Sequence, residues 1–150
     1  METKRITDIP GLMQLWKVDN LLCAGQPSLD SFAPLKEMGI KKVYNMRGES
    51  EMDFSEEIKQ CKSLGLEYIQ FPLVIDGALS KEACSKLSSS INEDDLFLIH
   101  CGSANRIGGW LITHLVSHKN MEFDAAVEVA MNNGLTNPTF IEQAREILEN

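Results

Sequence analysis

Long apolar runs are missing from this 150-residue chain. A membrane-spanning helix needs roughly 18 or more consecutive apolar residues, and no segment approaches that. The first residues, Met1-Glu-Thr-Lys-Arg5, lead into Ile6-Thr-Asp-Ile-Pro10 with neither a secretory h-region nor a transmembrane pattern. The cytoplasm is the default location, and a chain with its leader removed would read the same way. Closely spaced cysteines are absent too: Cys23, Cys61, Cys84 and Cys101 include no Cys-x-x-Cys. That argues against a zinc ribbon or a disulfide scaffold. Positive charge is scarce, with 14 lysines and arginines against 22 acids and a net charge of −8. Nucleic acid and anionic membranes both need a basic face, so neither is an expected partner. Histidine is rare, and although His114 and His118 stand i, i+4, no third ligand accompanies them, so no metal or other cofactor is expected. Repeats, linkers and low-complexity stretches are also lacking, which predicts one domain over 1–150; nothing in the sequence fixes an oligomeric state.

What is present is a globular composition, 43% hydrophobic and 24% charged. A chain of this length buries roughly 68–70% of its unfolded surface. The segment Leu96-Phe-Leu-Ile-His-Cys-Gly-Ser-Ala-Asn-Arg106-Ile-Gly-Gly109 carries the chemistry. Its apolar run reads as a buried strand, and the stretch from Gly108 to His118 reads as a helix. Cys101 then sits in a strand-to-helix loop, where unpaired helix amides and the helix dipole favour anions. A thiol placed there loses its proton more easily. Arg106 adds a permanent cation whose planar fork grips two oxygens of a tetrahedral oxyanion. Such a pair is a nucleophile aimed at phosphorus or sulfur. The reading requires the sulfur to face loop N–H groups closed by the guanidinium.

Elsewhere, Trp16-Lys-Val18 and Leu21-Leu-Cys-Ala24 flank the turn pair Asp19-Asn20 and predict a short antiparallel hairpin. Leu29, Phe32, Leu35 and Met38 follow helical spacing between Ser28 and Gly39, and Pro34 implies a kink or a two-part helix. A strand over 41–46, a helix over about 54–64, a strand over 67–71 and a loop at Asp76-Gly77 come next. Ser80 opens another helix before the central strand. Helices over about 122–132 and 138–148 follow, with Thr136 or Asn137 as cap and Pro138 at a first helical position. Strands alternating with helices predict an α/β fold, a mostly parallel central sheet flanked by helices, with chemistry at the carboxyl ends of the strands.

His100-Cys-Gly-Ser-Ala-Asn-Arg106 resembles the phosphate loop of cysteine-based tyrosine phosphatases. Gly25-Gln-Pro27, Glu37-Met-Gly-Ile40, Lys42-Val-Tyr-Asn-Met-Arg47, Gly65-Leu-Glu-Tyr-Ile69 and Gly134-Leu-Thr136 extend the resemblance to a bacterial family of small tyrosine-phosphatase-like proteins that occur alone or joined to a beta-lactamase-like hydrolase. The resemblance implies a tyrosine-phosphatase-like fold with the phosphate loop between the last central strand and a helix. It implies phosphomonoester hydrolysis through a phosphocysteine on Cys101, with Gly102, Ser103, Ala104, Asn105 and Arg106 holding the phosphoryl oxygens. It also implies a carboxylic acid on the loop after an earlier strand, which is where Asp76 lies; Glu49, Glu51 and Asp53 are reserves. His100 either organises the loop backbone or packs behind the strand. Arg47 either contacts phosphate or pairs with the acidic run.

Two departures stand out. Four residues, not five, separate Cys101 from Arg106, a tighter cup in which Gly102 and Asn105 are expected to take any positive φ and Ala104 to resist it. Ile107 stands where phosphatases usually carry a hydroxyl that bonds the thiolate, and Ser103 is the available substitute. Gly108 and Gly109, each costing about 1 kcal/mol against alanine in a helix, predict close packing at the first turn. The expected substrate is a phosphoprotein or a small ligand such as an inositol phosphate, with Lys41, Lys42, Arg47 and Lys81 as a possible basic rim. A rhodanese-like sulfurtransferase, which also uses a short cysteine loop, and a non-catalytic phosphate-binding module are the alternatives.

Overall fold

The computed structural model describes residues 1–150. The chain opens with β1 (Thr3–Arg5), β2 (Leu15–Val18) and β3 (Leu21–Ala24), then a single 3₁₀ turn (Leu29–Ser31) and α1 (Phe32–Met38). β4 (Ile40–Asn45), α2 (Ser55–Ser63), β5 (Glu67–Gln70) and the hairpin of β6 (Val74–Ile75) and β7 (Ala78–Leu79) follow. α3 (Lys81–Ser90), β8 (Leu96–His100), α4 (Asn105–Lys119), α5 (Phe123–Asn132) and α6 (Pro138–Glu149) complete it. Six strands form one sheet in the order β1-β2-β3-β8-β4-β5. β3, β8, β4 and β5 run parallel, and β2 and β1 add antiparallel at one edge. No helix is long and apolar enough to cross a membrane.

Local chemistry accounts for most boundaries. Pro34 falls in the first turn of α1, where its missing N–H breaks no helical bond, so the expected helix is divided into a 3₁₀ turn and an α-helix rather than kinked. Gly39 ends it at φ 113°. Ser80 Oγ caps α3 by accepting from the Ala83 amide at 3.1 Å, and Asn137 Oδ1 caps α6 by accepting from Thr139 at 3.0 Å. The expected loop at Asp76-Gly77 is instead a two-residue hairpin turn with φ of 53° and 83°, the geometry that an Asp-Gly pair favours.

The period-two alternation of the strands sends side chains into two cores. Leu22, Leu98 and Val43 pack with Phe32, Leu35 and Cys61 beneath α1 and α2. Cys23, Phe97, Ile99 and Tyr44 pack beneath α3 to α6 with Leu87, Trp110 and Leu111. Ala24, His100 and Asn45 are register partners on adjacent strands. The chain therefore leaves β3, β8 and β4 side by side, and Gln26, Cys101 and Arg47 emerge at one end of the sheet.

Candidate active site

Backbone hydrogen bonds fix where the cysteine loop begins. The Cys101 amide donates to Ala24 O at 3.2 Å, Met46 donates to His100 O at 2.9 Å, and Gln26 donates to Gly102 O at 3.0 Å. The loop then turns into α4 through Ala104, whose φ is 71°. Neither Gly102 nor Asn105 takes a positive φ, contrary to the expectation. Alanine in the left-handed region costs about 1–2 kcal/mol, so the tight turn stores strain next to the nucleophile candidate. α4 starts at Asn105, three residues before the expected Gly108, which puts Arg106 in its first turn. Asn105 braces the turn: its Oδ1 accepts from the amides of Thr136 and Asn137 at 2.8 and 2.9 Å. Ser103 is exposed, and its hydroxyl accepts from Asn105 Nδ2 at 3.1 Å.

The Gly108-Gly109 pair is a packing feature. A methyl at Gly108 would lie 2.8 Å from Leu135 Cβ, and one at Gly109 would lie 2.5 Å from Leu79 Cδ1. Through Leu79 the β6–β7 hairpin rests on the first turn of α4. Asp76 sits at the hairpin tip, exposed, with no hydrogen bond to the cysteine loop.

Cys101 itself is fully buried in the core beneath α4, as is Ile107. Burial pushes the neighbouring Cys23 thiol up to about 12, and Cys101 adds to the effect. Above the loop, two guanidinium groups converge: a methyl at Gly102 would be 3.6 Å from Arg106 Nη2 and 3.8 Å from Arg47 Cζ. One carboxylate holds both. Arg106 Nη1 and Nη2 donate to Glu51 Oε2 and Oε1 at 2.6 and 2.7 Å, and Arg47 Nε donates to Oε1 at 3.0 Å. The Gly48 amide adds a bond to Oε2 at 2.5 Å. Hydrogen bonds from Arg106 foremost, with Gly48 and Arg47, outweigh burial and hold the Glu51 carboxyl at about 2. The acidic run therefore contributes a specific ligand as well as solvated charge.

Behind the loop lies a buried polar network that sequence reasoning missed. His100 Nε2 meets Glu57 Oε2 at 2.8 Å; Tyr68 Oη donates to the same oxygen at 2.5 Å and Gln26 Nε2 to Oε1 at 2.6 Å. Gln26 Oε1 accepts from Arg47 Nη1 at 3.1 Å, so a continuous path runs from His100 through Glu57, Gln26, Arg47 and Glu51 to Arg106. Burial raises the Glu57 carboxyl, but hydrogen bonds from His100, Tyr68 and Gln26 prevail and lower it. Burial and then Glu57 push the Tyr68 phenol upward. His100 Nδ1 is buried with no partner. Leaving one such atom unpaired costs about 1–3 kcal/mol, less than the about 3–5 kcal/mol for a buried carboxylate stripped of its counter-ion. A helical stripe carried the signal for Glu57: it precedes the buried Cys61 by four positions and so faces the sheet.

The two remaining histidines belong elsewhere. His114 stacks between Trp110 and His118, bonds Ser88 Oγ at 3.0 Å, and is lowered to about 4, chiefly by burial.

No family model and no curated protein matches the chain. Solved structures do. A candidate phosphatase (DUF442) from Shewanella putrefaciens CN-32 superposes with a TM-score of 0.73 at 20% identity over 93% of each chain. TpbA from P. aeruginosa, whose variant has been solved in complex with pTyr, gives 0.72 at 15% identity over 93% of this chain and 85% of its own. PTPMT1, solved in complex with PI(5)P, gives 0.66 at 19% identity over 86% and 90%. The fold is tyrosine-phosphatase-like.

Proposed function

We propose that the chain is a cysteine-dependent phosphomonoester hydrolase working through a phosphocysteine, on a phosphoprotein or a small phosphorylated ligand such as an inositol phosphate. The observation that carries this reading is the convergence of Arg47 and Arg106 over Gly102, one residue beyond Cys101, around a carboxylate that already receives four donors. A site that binds one oxyanion this way suits the equatorial oxygens of a phosphoryl group. Arg106 Nε and the first amides of α4 supply further donors. Because Cys101 is enclosed, turnover requires the loop to open far enough to admit the ester.

In the first step the Cys101 thiolate attacks phosphorus in line, the S–P bond forms and the P–O ester bond breaks. Asp76, as a carboxylic acid on the hairpin that rests on α4, gives its proton to the leaving alkoxide. In the second step the Asp76 carboxylate takes a proton from water, whose oxygen attacks phosphorus and expels the thiolate. Gly102, Ser103, Ala104 and Asn105 shape the cup, and His100 holds it from behind.

Phosphate release from a panel of phosphopeptides, aryl phosphates and inositol phosphates tests this. Cys101→Ser is expected to fall to background, Asp76→Asn to lose about 10²–10⁴-fold in kcat, and a chelator to change nothing. Activity that survives Cys101→Ser, or that a chelator abolishes, overturns the thiolate mechanism. Sulfur transfer from thiosulfate exceeding phosphate release would favour the rhodanese-like reading. One observation favours the binding-module reading: Ile107 offers hydrocarbon where a hydroxyl would serve the thiolate. Phosphate affinity retained in Cys101→Ser, with no turnover by the native protein, is its expected result.

A further inference from the structure

Two lysines of the expected basic rim are engaged elsewhere: Lys42 pairs with Glu67 on β5, and Lys81 donates to the Asn150 carbonyl. A different cation stands beside the cysteine loop. Arg5, at the end of β1, lines a cavity of about 470 Å³ with Met13, Gln14, Gly25, Gln26 and Gly102, and none of the chain's 22 acids borders it. Arg47 and Arg106 share Glu51 and Arg145 pairs with Glu142, whereas Arg5 meets no carboxylate. It is nevertheless held: Nη2 donates to Met13 O at 3.1 Å, and Cζ lies 5.2 Å from the centroid of the Trp16 ring. We propose that Arg5 is the cationic end of a subsite for a second oxyanion of the substrate, a carboxylate or a further phosphoryl group carried about 10 Å from the loop that receives the first. The inference deepens the hydrolase reading by naming its substrate class, and rests on it.

The backbone sets the spacing. Gly25 donates to Gln14 O at 2.9 Å and Gln26 to Gly102 O at 3.0 Å, so the residues just before β2 and just after β3 and β8 lie side by side beneath the cavity. Neighbouring strands stand about 4.8 Å apart, and Met13 O, which holds the guanidinium, belongs to the segment two intervals from Gly102, a span of about 10 Å. The floor between them is nearly bare. A methyl at Gly25 would lie 2.4 Å from Gln14 Oε1 and 3.1 Å from Gly102 O, so only glycine lets the Gln14 carboxamide rest there and add a neutral donor to the cation. Gly102 joins the two sites, since Arg47 and Arg106 converge over it and the same residue borders the cavity. An ester bound by its phosphoryl group above Gly102 therefore runs across Gly25 toward Arg5, and Met13, 82% exposed, meets its carbon frame. A planar fork already fixed at two points loses little freedom when it grips an oxyanion. A charge that only guards an edge strand needs neither contact.

Para-ethylphenyl phosphate and the same ester with a carboxylate or a phosphonate at the end of its ethyl arm test this. Turnover is measured as kcat/KM with the native protein, and affinity by calorimetric titration of Cys101→Ser. The readout is the ratio of each armed ester to the plain one within a single protein, which cancels differences in folded fraction between variants. Both ratios are expected to be about fivefold in favour of an armed ester, the increment of one charge-assisted contact at a solvent-accessible arginine. Arg5→Gln, alone and combined with Cys101→Ser, is expected to bring them to one. Arg5→Lys, which keeps the charge and loses the fork, is expected to restore part of the preference. The arm with the larger Arg5-dependent ratio identifies the group as carboxylate or phosphoryl. Ratios of one in the proteins that keep Arg5, or ratios that Arg5→Gln leaves unchanged, overturn the subsite while hydrolysis of the plain ester stands. An Arg5-dependent affinity ratio in Cys101→Ser, with no phosphate released from any ester by the native protein, overturns hydrolysis and leaves the subsite in place.

Discussion

The sheet presents two unlike faces where the cysteine loop leaves it. Beneath α1 and α2, the ends of β4 and β8 carry Asn45 and His100, and the contacts around them are polar: Asn45 Nδ2 donates to Tyr68 Oη at 2.8 Å, its Oδ1 accepts from the Arg47 amide at 3.0 Å, and His100 meets Glu57. Beneath α4, one residue further along, Cys101 joins Cys23, Ile99 and Ile107 in hydrocarbon. Alternation along a strand makes this possible, since adjacent residues point to opposite sides. Directional bonds on the first face hold the ends of the loop in place, and tight packing on the second encloses the sulfur. The division separates polar fixing of the loop ends from apolar packing of the loop cysteine. It also means that the two faces should fail differently when altered.

The largest expected difference comes from Glu57→Ala, which leaves the donors of His100, Tyr68 and Gln26 without their acceptor, each at about 1–3 kcal/mol, and is expected to cost at least about 3 kcal/mol in denaturant unfolding. Cys101→Ala on the opposite face, which removes a single buried sulfur, is expected to cost less than half of that. Equal losses would show that the polar face contributes no more than ordinary packing. A smaller effect is expected from Glu51. Its carboxyl is held at about 2 in the folded chain against an ordinary value of 4.5, so the stabilisation is present above the ordinary value and is lost as pH falls through the lower one. Glu51→Gln is expected to flatten the fall in stability over that window, and an unchanged slope would mean that the Arg106 clamp contributes nothing to folding. The smallest effect is expected at the junction of the two faces. Ala104→Gly relieves about 1–2 kcal/mol of backbone strain and adds about 0.5–1 kcal/mol of unfolded-state entropy, a net gain between zero and about 1.5 kcal/mol by thermal unfolding. A net loss would mean that the left-handed turn is relaxed by its neighbours.

Much of this arrangement was legible in the sequence. The apolar run before His100, the glycines after Arg106 and the cap residues Ser80 and Asn137 located the sheet, the loop and the helices by simple steric and hydrogen-bonding rules. The omissions have physical reasons. β1 is made of Thr3, Lys4 and Arg5, all exposed, so no alternation marks it, and charges of this kind are how edge strands are protected. β6 and β7 are two residues each, too short for a period to register. α4 is predicted from Gly108 but begins at Asn105, and the cost of its two helical glycines is offset by the close approach of Leu135 and Leu79. Propensity likewise hid the left-handed Ala104. Glu57 lies in the helix predicted over about 54–64, where composition does not say which of the adjacent acids Glu56 and Glu57 turns inward and only the four-residue spacing to Cys61 marks it. The shared use of Glu51 by Arg47 and Arg106 joins positions 55 residues apart, which no local pattern encodes.

Asn105 draws its two amide partners from a segment 31 and 32 residues downstream. During synthesis from the amino terminus, the strands, Cys101, Arg47 and Arg106 are all added to the chain before those amides exist. The growing chain therefore carries its cysteine loop before the segment that braces the turn at Ala104, and that loop reaches its final shape only once the downstream segment has docked.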